Sequence, residues 1–121
     1  MSDYIELKTG GGFQVSLFIT DCNGTALTSS DVSQIQYTVF RRRYGTRTVI
    51  NGHESASVPV SAIVETFSEP HTGKDCNFQH KITQDENGPF PEYNEIYIIQ
   101  YRFTDLEGTV HIHEIEGHTS P

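Results

Sequence analysis

The chain has no tryptophan, one methionine, two cysteines and half as many basic as acidic residues. No apolar run approaches the length of a membrane-spanning helix, so no membrane partner is expected. Met1-Ser2-Asp3 opens without a charged n-region or an apolar h-region, and the expectation is a chain made and assembled in the cytoplasm. Cys22 and Cys76 are too few and too far apart for a metal knuckle. Either they form a single disulfide, or they are reduced thiols, the default in that compartment. Lys and Arg number 8 against 16 Asp and Glu, a formal charge of −8. Such a chain is repelled by nucleic acid and by anionic membranes. Catalytic signatures are also missing: there is no nucleophile elbow, no paired histidine–cysteine motif and no phosphate loop. Neither the acidic Asp85-Glu86-Asn87 stretch nor the Asp21/Asn23 turn has calcium-loop spacing. A non-enzymatic protein without a cofactor is expected.

What the chain does have is aromatic and alternating. Its 121 residues suit one domain with a real core. Six tyrosines and seven phenylalanines supply large buried area in a composition only 35% hydrophobic. Phe13, Val15, Leu17 and Ile19 alternate with Gln14, Ser16, Phe18 and Thr20, the period of a strand with one buried face. Ile35, Tyr37 and Val39 do the same. Residues 78–83 read as a further strand. Tyr93, Tyr97, Ile99, Tyr101 and Phe103 share one face of a late strand, with Ile96, Ile98 and Gln100 on the other; apolar residues on both faces predict a central strand, or one covered by a neighbour.

One phrase occurs twice. Phe18-Ile19-Thr20-Asp21-Cys22-Asn23-Gly24-Thr25 returns as Arg102-Phe103-Thr104-Asp105-Leu106-Glu107-Gly108-Thr109, sharing Thr-Asp-x-x-Gly-Thr. Asp opens a type I turn, and Gly takes the positive φ of a G1 bulge. Two turns of one kind are predicted, the second joining the last two strands. Thr28-Ser29-Ser30-Asp31 can start a tight helical turn. Tyr44-Gly45-Thr46 and Asn51-Gly52 are turn signals, Val58-Pro59-Val60 reads as an edge strand, and residues 61–66 suit a brief helix or a strand equally. About seven short strands, with at most one or two helical turns, predict an all-β, immunoglobulin-like antiparallel β-sandwich. Tyr93 sits where such domains carry a tyrosine corner. Residues 1–12 form an N-terminal arm with a first short strand and a triple-glycine hinge; residues 13–116 form the sandwich; residues 117–121 form a tail.

Three clusters are candidates for chemistry or contact. His111 and His113 project from one face of the last strand, and His118 follows; they are weak metal-ligand candidates lacking a defined third ligand. Arg41, Arg42, Arg43 and Arg47 hold half of all the basic residues, with Arg41 and Arg43 on one strand face and Arg42 on the other. A hairpin through Gly45 brings Arg47 close. Such a tip can hold carboxylates, those of a neighbouring protein or of the chain itself. The loop 84–92, with Asp85 and Glu86, is the longest clear loop and is acidic.

The pattern Ile19-Thr20-Asp21…Gly24-Thr25-Ala26-Leu27-Thr28…Asp31-Val32-Ser33…Ile35…Tyr37-Thr38-Val39-Phe40 resembles small β-rich proteins encoded among tailed-bacteriophage and prophage structural genes. Val58-x-Val60-Ser61, Asn77-Phe78-x-His80 and Tyr97…Tyr101-Arg102-Phe103-Thr104…Gly108 extend the likeness over most of residues 13–110. The arginine tip and the His111/His113 strand depart from that pattern. The resemblance implies a virion component, a capsid decoration or cement protein that binds the major capsid protein on the outer shell. It is compatible with homo-oligomers. Tyr4, Ile5, the arginine tip and the acidic loop are then the expected contacts. The alternatives are a neck or tail accessory protein, or a module binding carbohydrate or a host surface, for which Tyr44, Phe90 and Tyr93 are the aromatics of interest.

Overall fold

Alternating apolar residues give each strand one face to bury, and two such faces must meet. A computed structural model of the chain describes residues 4–7, 13–21, 23–50, 53–70, 72–82 and 95–118. Its strands are β1 (Tyr4–Leu7), β2 (Phe13–Leu17), β3 (Val32–Arg43), β4 (Thr46–Val49), β5 (Ala56–Val58), β6 (Ile63–Ser68), β7 (Asp75–Ile82), β8 (Ile96–Asp105) and β9 (Val110–His118). One sheet has the order β1-β2-β7-β6 and the other β4-β3-β8-β9, all antiparallel. This is the immunoglobulin-like arrangement of A-B-E-D against C-F-G with an added C′ strand. The only helical pieces among the described residues are 3-10 turns at Ser29–Asp31 and Val60–Ala62.

Nine strands are present among the described residues, against about seven expected, and two of them follow β3 on the same edge. β4 pairs with Phe40–Arg43 and β5 with Ile35–Tyr37, along the same edge of β3. Pro59 follows β5, where no ladder donor is needed. The chain then makes the 3-10 turn and joins the opposite sheet as β6. The ambiguous stretch 61–66 is therefore both things in turn, one helical turn and then strand.

The core is the meeting of the two inner faces. Val15, Leu17, Ile63 and Phe78 come from one sheet, and Ile35, Tyr37, Val39, Tyr97, Ile99, Tyr101, Phe103 and Ile115 from the other, all buried. Phe78 meets Tyr101 and Phe103 edge-on, with ring centroids 5.0 and 5.2 Å apart, the favoured geometry for aromatic quadrupoles. β8 lies between β3 and β9, and its outward residue Ile98 is also buried.

The two copies of the repeated phrase make the same hydrogen bonds. Asp21 N–H donates to Thr25 C=O and Gly24 N–H to Asp21 C=O; Asp105, Thr109 and Gly108 make the same pair of bonds. The Asp carboxylate accepts from the backbone N–H groups two and four residues on, Asn23 and Thr25 in one copy, Glu107 and Thr109 in the other. Gly24 and Gly108 sit at φ of 83° and 87°, where a Cβ is disfavoured.

The first copy is not part of a long ladder, so something else must hold it. Asn77 does. Its side-chain amide accepts from Ile19 N–H at 2.8 Å and donates to the carbonyls of Ile19 and Leu27 at 2.9 and 3.0 Å, all buried. Truncating it leaves buried backbone groups unpaired, which costs about 1–3 kcal/mol per group. Asn77→Ala is therefore expected to destabilise the domain by roughly 3 kcal/mol. Urea unfolding should show a lower midpoint at an unchanged m-value.

Candidate functional site

The β3–β4 hairpin is the feature the sequence marks most strongly, and its turn is unusual. Tyr44 and Gly45 are the two residues between the strands, at φ of 51° and 79°. Two residues of positive φ make the type I′ turn that suits hairpin twist, but Asn, Asp or Gly normally occupies the first position. An L-residue with a bulky side chain there costs on the order of 1–2 kcal/mol. Tyr44 recovers none of that by packing, since it is 104% exposed.

The arginines behind this tip are engaged within the chain. Arg42 and Arg47 are cross-strand partners, and each finds a carboxylate on β9. Arg42 binds Glu116 through both terminal nitrogens at 3.0 Å, and Arg47 binds Glu114 the same way at 2.7 and 3.0 Å. Arg43 pairs with Glu95. Bidentate geometry makes these stronger than ordinary exposed pairs. Neighbouring strands are about 4.8 Å apart, so a pair joining β3 to β9 must cross over β8. That crossing lies at Ile98, the residue opposite Glu116, and it accounts for an outward isoleucine only 3% exposed. The Arg47 guanidinium also sits 5.6 Å from the centre of the Phe40 ring. The hydrogen bonds to Arg47 and then Gln100 hold the Glu114 carboxyl below its usual range, and Glu114 raises the Arg47 guanidinium in return. Arg41 takes the other face, half-buried opposite Tyr97.

The histidine strand is likewise tied to its surroundings. His111 and His113 share the inward row of β9, as expected for i and i+2. His111 Nε2 lies 3.1 Å from Asp105 Oδ2, so it braces the second turn. That contact, followed by the Thr109 and Glu107 backbone donors, lowers the Asp105 carboxyl from its ordinary value. His118 pairs with Ile96, five residues beyond His113, a rise of about 16 Å along the strand. No group of three or more metal-ligating side chains converges among the described residues.

Sequence reasoning missed the polar groups inside the core. Tyr37 Oη and His53 Nδ1 are 2.8 Å apart, as are Tyr101 Oη and His80 Nδ1, and Tyr37 and Tyr101 are cross-strand partners. Two Tyr–His pairs thus stand side by side, with the Tyr37 and His80 ring centroids 5.1 Å apart. The inward parity of Cys76, Phe78 and His80 was the available signal. Glu69 is also buried, and its carboxylate accepts from Thr72 N–H at 2.7 Å to close the β6–β7 loop. Of the remaining candidates, β1 places Tyr4 opposite Ser16 and Ile5 opposite Val15. Asp85, Glu86 and the rest of the 84–92 loop, including Phe90, lie outside the described residues, as do Tyr93, Cys22, the triple glycine and Asn51-Gly52.

Burial lowers His80 from 6.5 to about 4 and holds the Tyr101 phenol well above its ordinary value. Because the folded pKa of His80 lies below its unfolded value, its neutral form stabilises the fold fully above pH 6.5. That contribution is lost as pH falls from 6.5 to about 4. The loss is on the order of 3 kcal/mol at most. His80→Gln, which keeps a polar partner for Tyr101, is expected to flatten stability against pH across that window in chemical denaturation. An unchanged slope would exclude His80 as its source. Comparison with protein-family models, with curated proteins and with solved structures finds no match to this chain.

Proposed function

We propose that this chain is a non-enzymatic virion structural protein, a decoration or cement protein that binds the major capsid protein on the outer surface of a tailed-phage head. The observation that carries this reading is the hairpin tip. A fully exposed tyrosine held at positive φ costs stability and gains no packing within the chain. Strain at an exposed position that the surroundings enforce is characteristic of binding sites, and tyrosine is among the residues that dominate interfaces. The ion pairs behind the tip, Arg42–Glu116, Arg47–Glu114 and Arg43–Glu95, hold it rigid. A rigid anchor loses little conformational freedom on docking. On this reading the arginines serve as braces, and Tyr44 is the contact. The resemblance over residues 13–110 supplies the capsid as partner, with assembly in the host cytoplasm and residence on the virion.

An exposed tyrosine suits a glycan as well as a protein, so a carbohydrate- or host-surface-binding module is the second reading, and a neck or tail accessory protein is a variant of the first. Copy number separates them. Hundreds of copies on purified particles indicate decoration, about a dozen indicate neck or tail, and none, together with glycan binding by the isolated monomer, indicates the module.

Tyr44→Gly tests the tip itself. Removing the Cβ relieves the backbone, so the domain should be as stable as the parent or up to about 1 kcal/mol more stable. Binding to particles should nevertheless fall at least about tenfold. A stable variant that binds as well as the parent would remove Tyr44 from the interface.

A further inference from the structure

The outer face of the β8–β9 hairpin changes character along its length. Where β8 begins, ion pairs close it over Ile98. Toward the turn nothing comparable covers it. Arg102 on β8 stands opposite Ile112 on β9, and Thr104 opposite Val110. Ile112 and Val110 are 59% and 41% exposed, in a row where a strand with one buried face is expected to be polar. Leu106, in the turn itself, is 70% exposed. The turn is closed by backbone groups and the Asp105 carboxylate, and makes no use of the leucine side chain.

Arg102 is the cation of this patch. Arg42, Arg43 and Arg47 each hold a glutamate within the chain. Arg102 is exposed and makes no ion pair or side-chain hydrogen bond among the described residues. Its surroundings account for that. Gln36 and Ile112 flank it across the strands, and Gln100 and Thr104 lie two residues away along β8. The next residue in the β9 row, Glu114, is taken by Arg47 and Gln100. A chain with 16 acidic and 8 basic residues thus leaves this guanidinium among neutral neighbours.

We propose that the turn end of this face, Arg102 with Leu106, Val110 and Ile112, is a docking surface for a partner protein that presents a carboxylate bordered by apolar side chains. Charge complementarity sets the occupant's chemistry. A guanidinium takes a carboxylate bidentately, and apolar groups that exclude water around the pair strengthen it. Arginine among apolar side chains is also the composition of interface centres. A second copy packed patch to patch does not supply the missing anion: it opposes the cation with the same apolar and cationic groups, and joins two chains of formal charge −8. The surface rests on the capsid reading for the identity of its partner, and it adds a contact at the other end of the sheet from Tyr44.

The test uses particles that lack this chain, with binding of the full chain read by co-sedimentation over a range of concentrations. Arg102→Gln should weaken binding about tenfold, and Arg102→Glu more. Ile112→Thr, which keeps a β-branched side chain, should also weaken it. Binding of Arg102→Gln should depend less on salt than that of the parent, because a charge pair is gone. Lys74→Glu, a charge reversal at an exposed site beside β7, should bind as the parent does. All of these sites are exposed, so melting temperatures should stay within a few degrees of the parent. Should one variant unfold, the others carry the test. Parent-like binding by both Arg102 variants would overturn the proposal. So would an equal loss with Lys74→Glu, or a homodimer of the parent that Arg102→Glu dissociates. Those outcomes leave the capsid reading to Tyr44→Gly and copy number, whereas a parent chain that does not bind particles removes that reading and this surface together.

Discussion

Everything on the surface of this domain depends on the seam where β7 meets β8. Phe78 packs its ring against the edges or faces of Tyr101 and Phe103, and His80 reaches across from the same strand to the Tyr101 hydroxyl. One apolar contact and one directional bond, two residues apart, fix both the spacing of the sheets and their relative slide. Dispersion alone tolerates sliding, whereas a buried hydrogen bond penalises it through the cost of an unpaired group. Tyr37 extends the arrangement to β3, so the whole C′-C-F-G sheet is registered on this seam.

With that sheet fixed, its two exposed features take set positions. The Tyr44 tip lies at the end where β8 begins, and Ile112 lies toward the other end, beside Arg102. Six residues of β8 separate these levels, about 20 Å. The tip projects along the strands. The Arg42–Glu116 and Arg47–Glu114 pairs cross the face of this sheet over Ile98.

The architecture was legible in the sequence because its signals are local. Period-two alternation located β2, β3 and β8, and Thr-Asp-x-x-Gly-Thr located two turns whose bonds all close within five residues. The two pieces on the β3 edge were legible as a hairpin return near Arg47 and an edge strand near Val58, but not that both pair with β3, which depends on where Pro59 lets the chain leave one sheet for the other. Nor were the roles of the polar residues. Arg42 and Arg47 could be placed on a hairpin tip, but their partners Glu114 and Glu116 lie about seventy residues away and are reached only across an intervening strand. Asn77 and Glu69 look like ordinary loop and strand polar residues until their buried partners are known. Asn77-Phe78-x-His80 turns out to be three structural devices in a row: a backbone clamp, a core ring and an inter-sheet bond.

The repeated turn also bears on the order in which the chain organises itself. Each copy is completed by a carboxylate and backbone groups no more than four residues away, so closing it costs little loop entropy and hairpins of this kind form in microseconds. The β2–β7 and β3–β8 ladders join residues more than fifty positions apart, and such contacts set the slower rates typical of sandwiches. The second turn carries β8 and β9 as a ready hairpin. The first is complete on its own but waits for Asn77 to attach it to a sheet. One phrase, written twice, therefore gives the unfolded chain two early landmarks, and the late collapse has only to bring them to opposite sides of one aromatic seam.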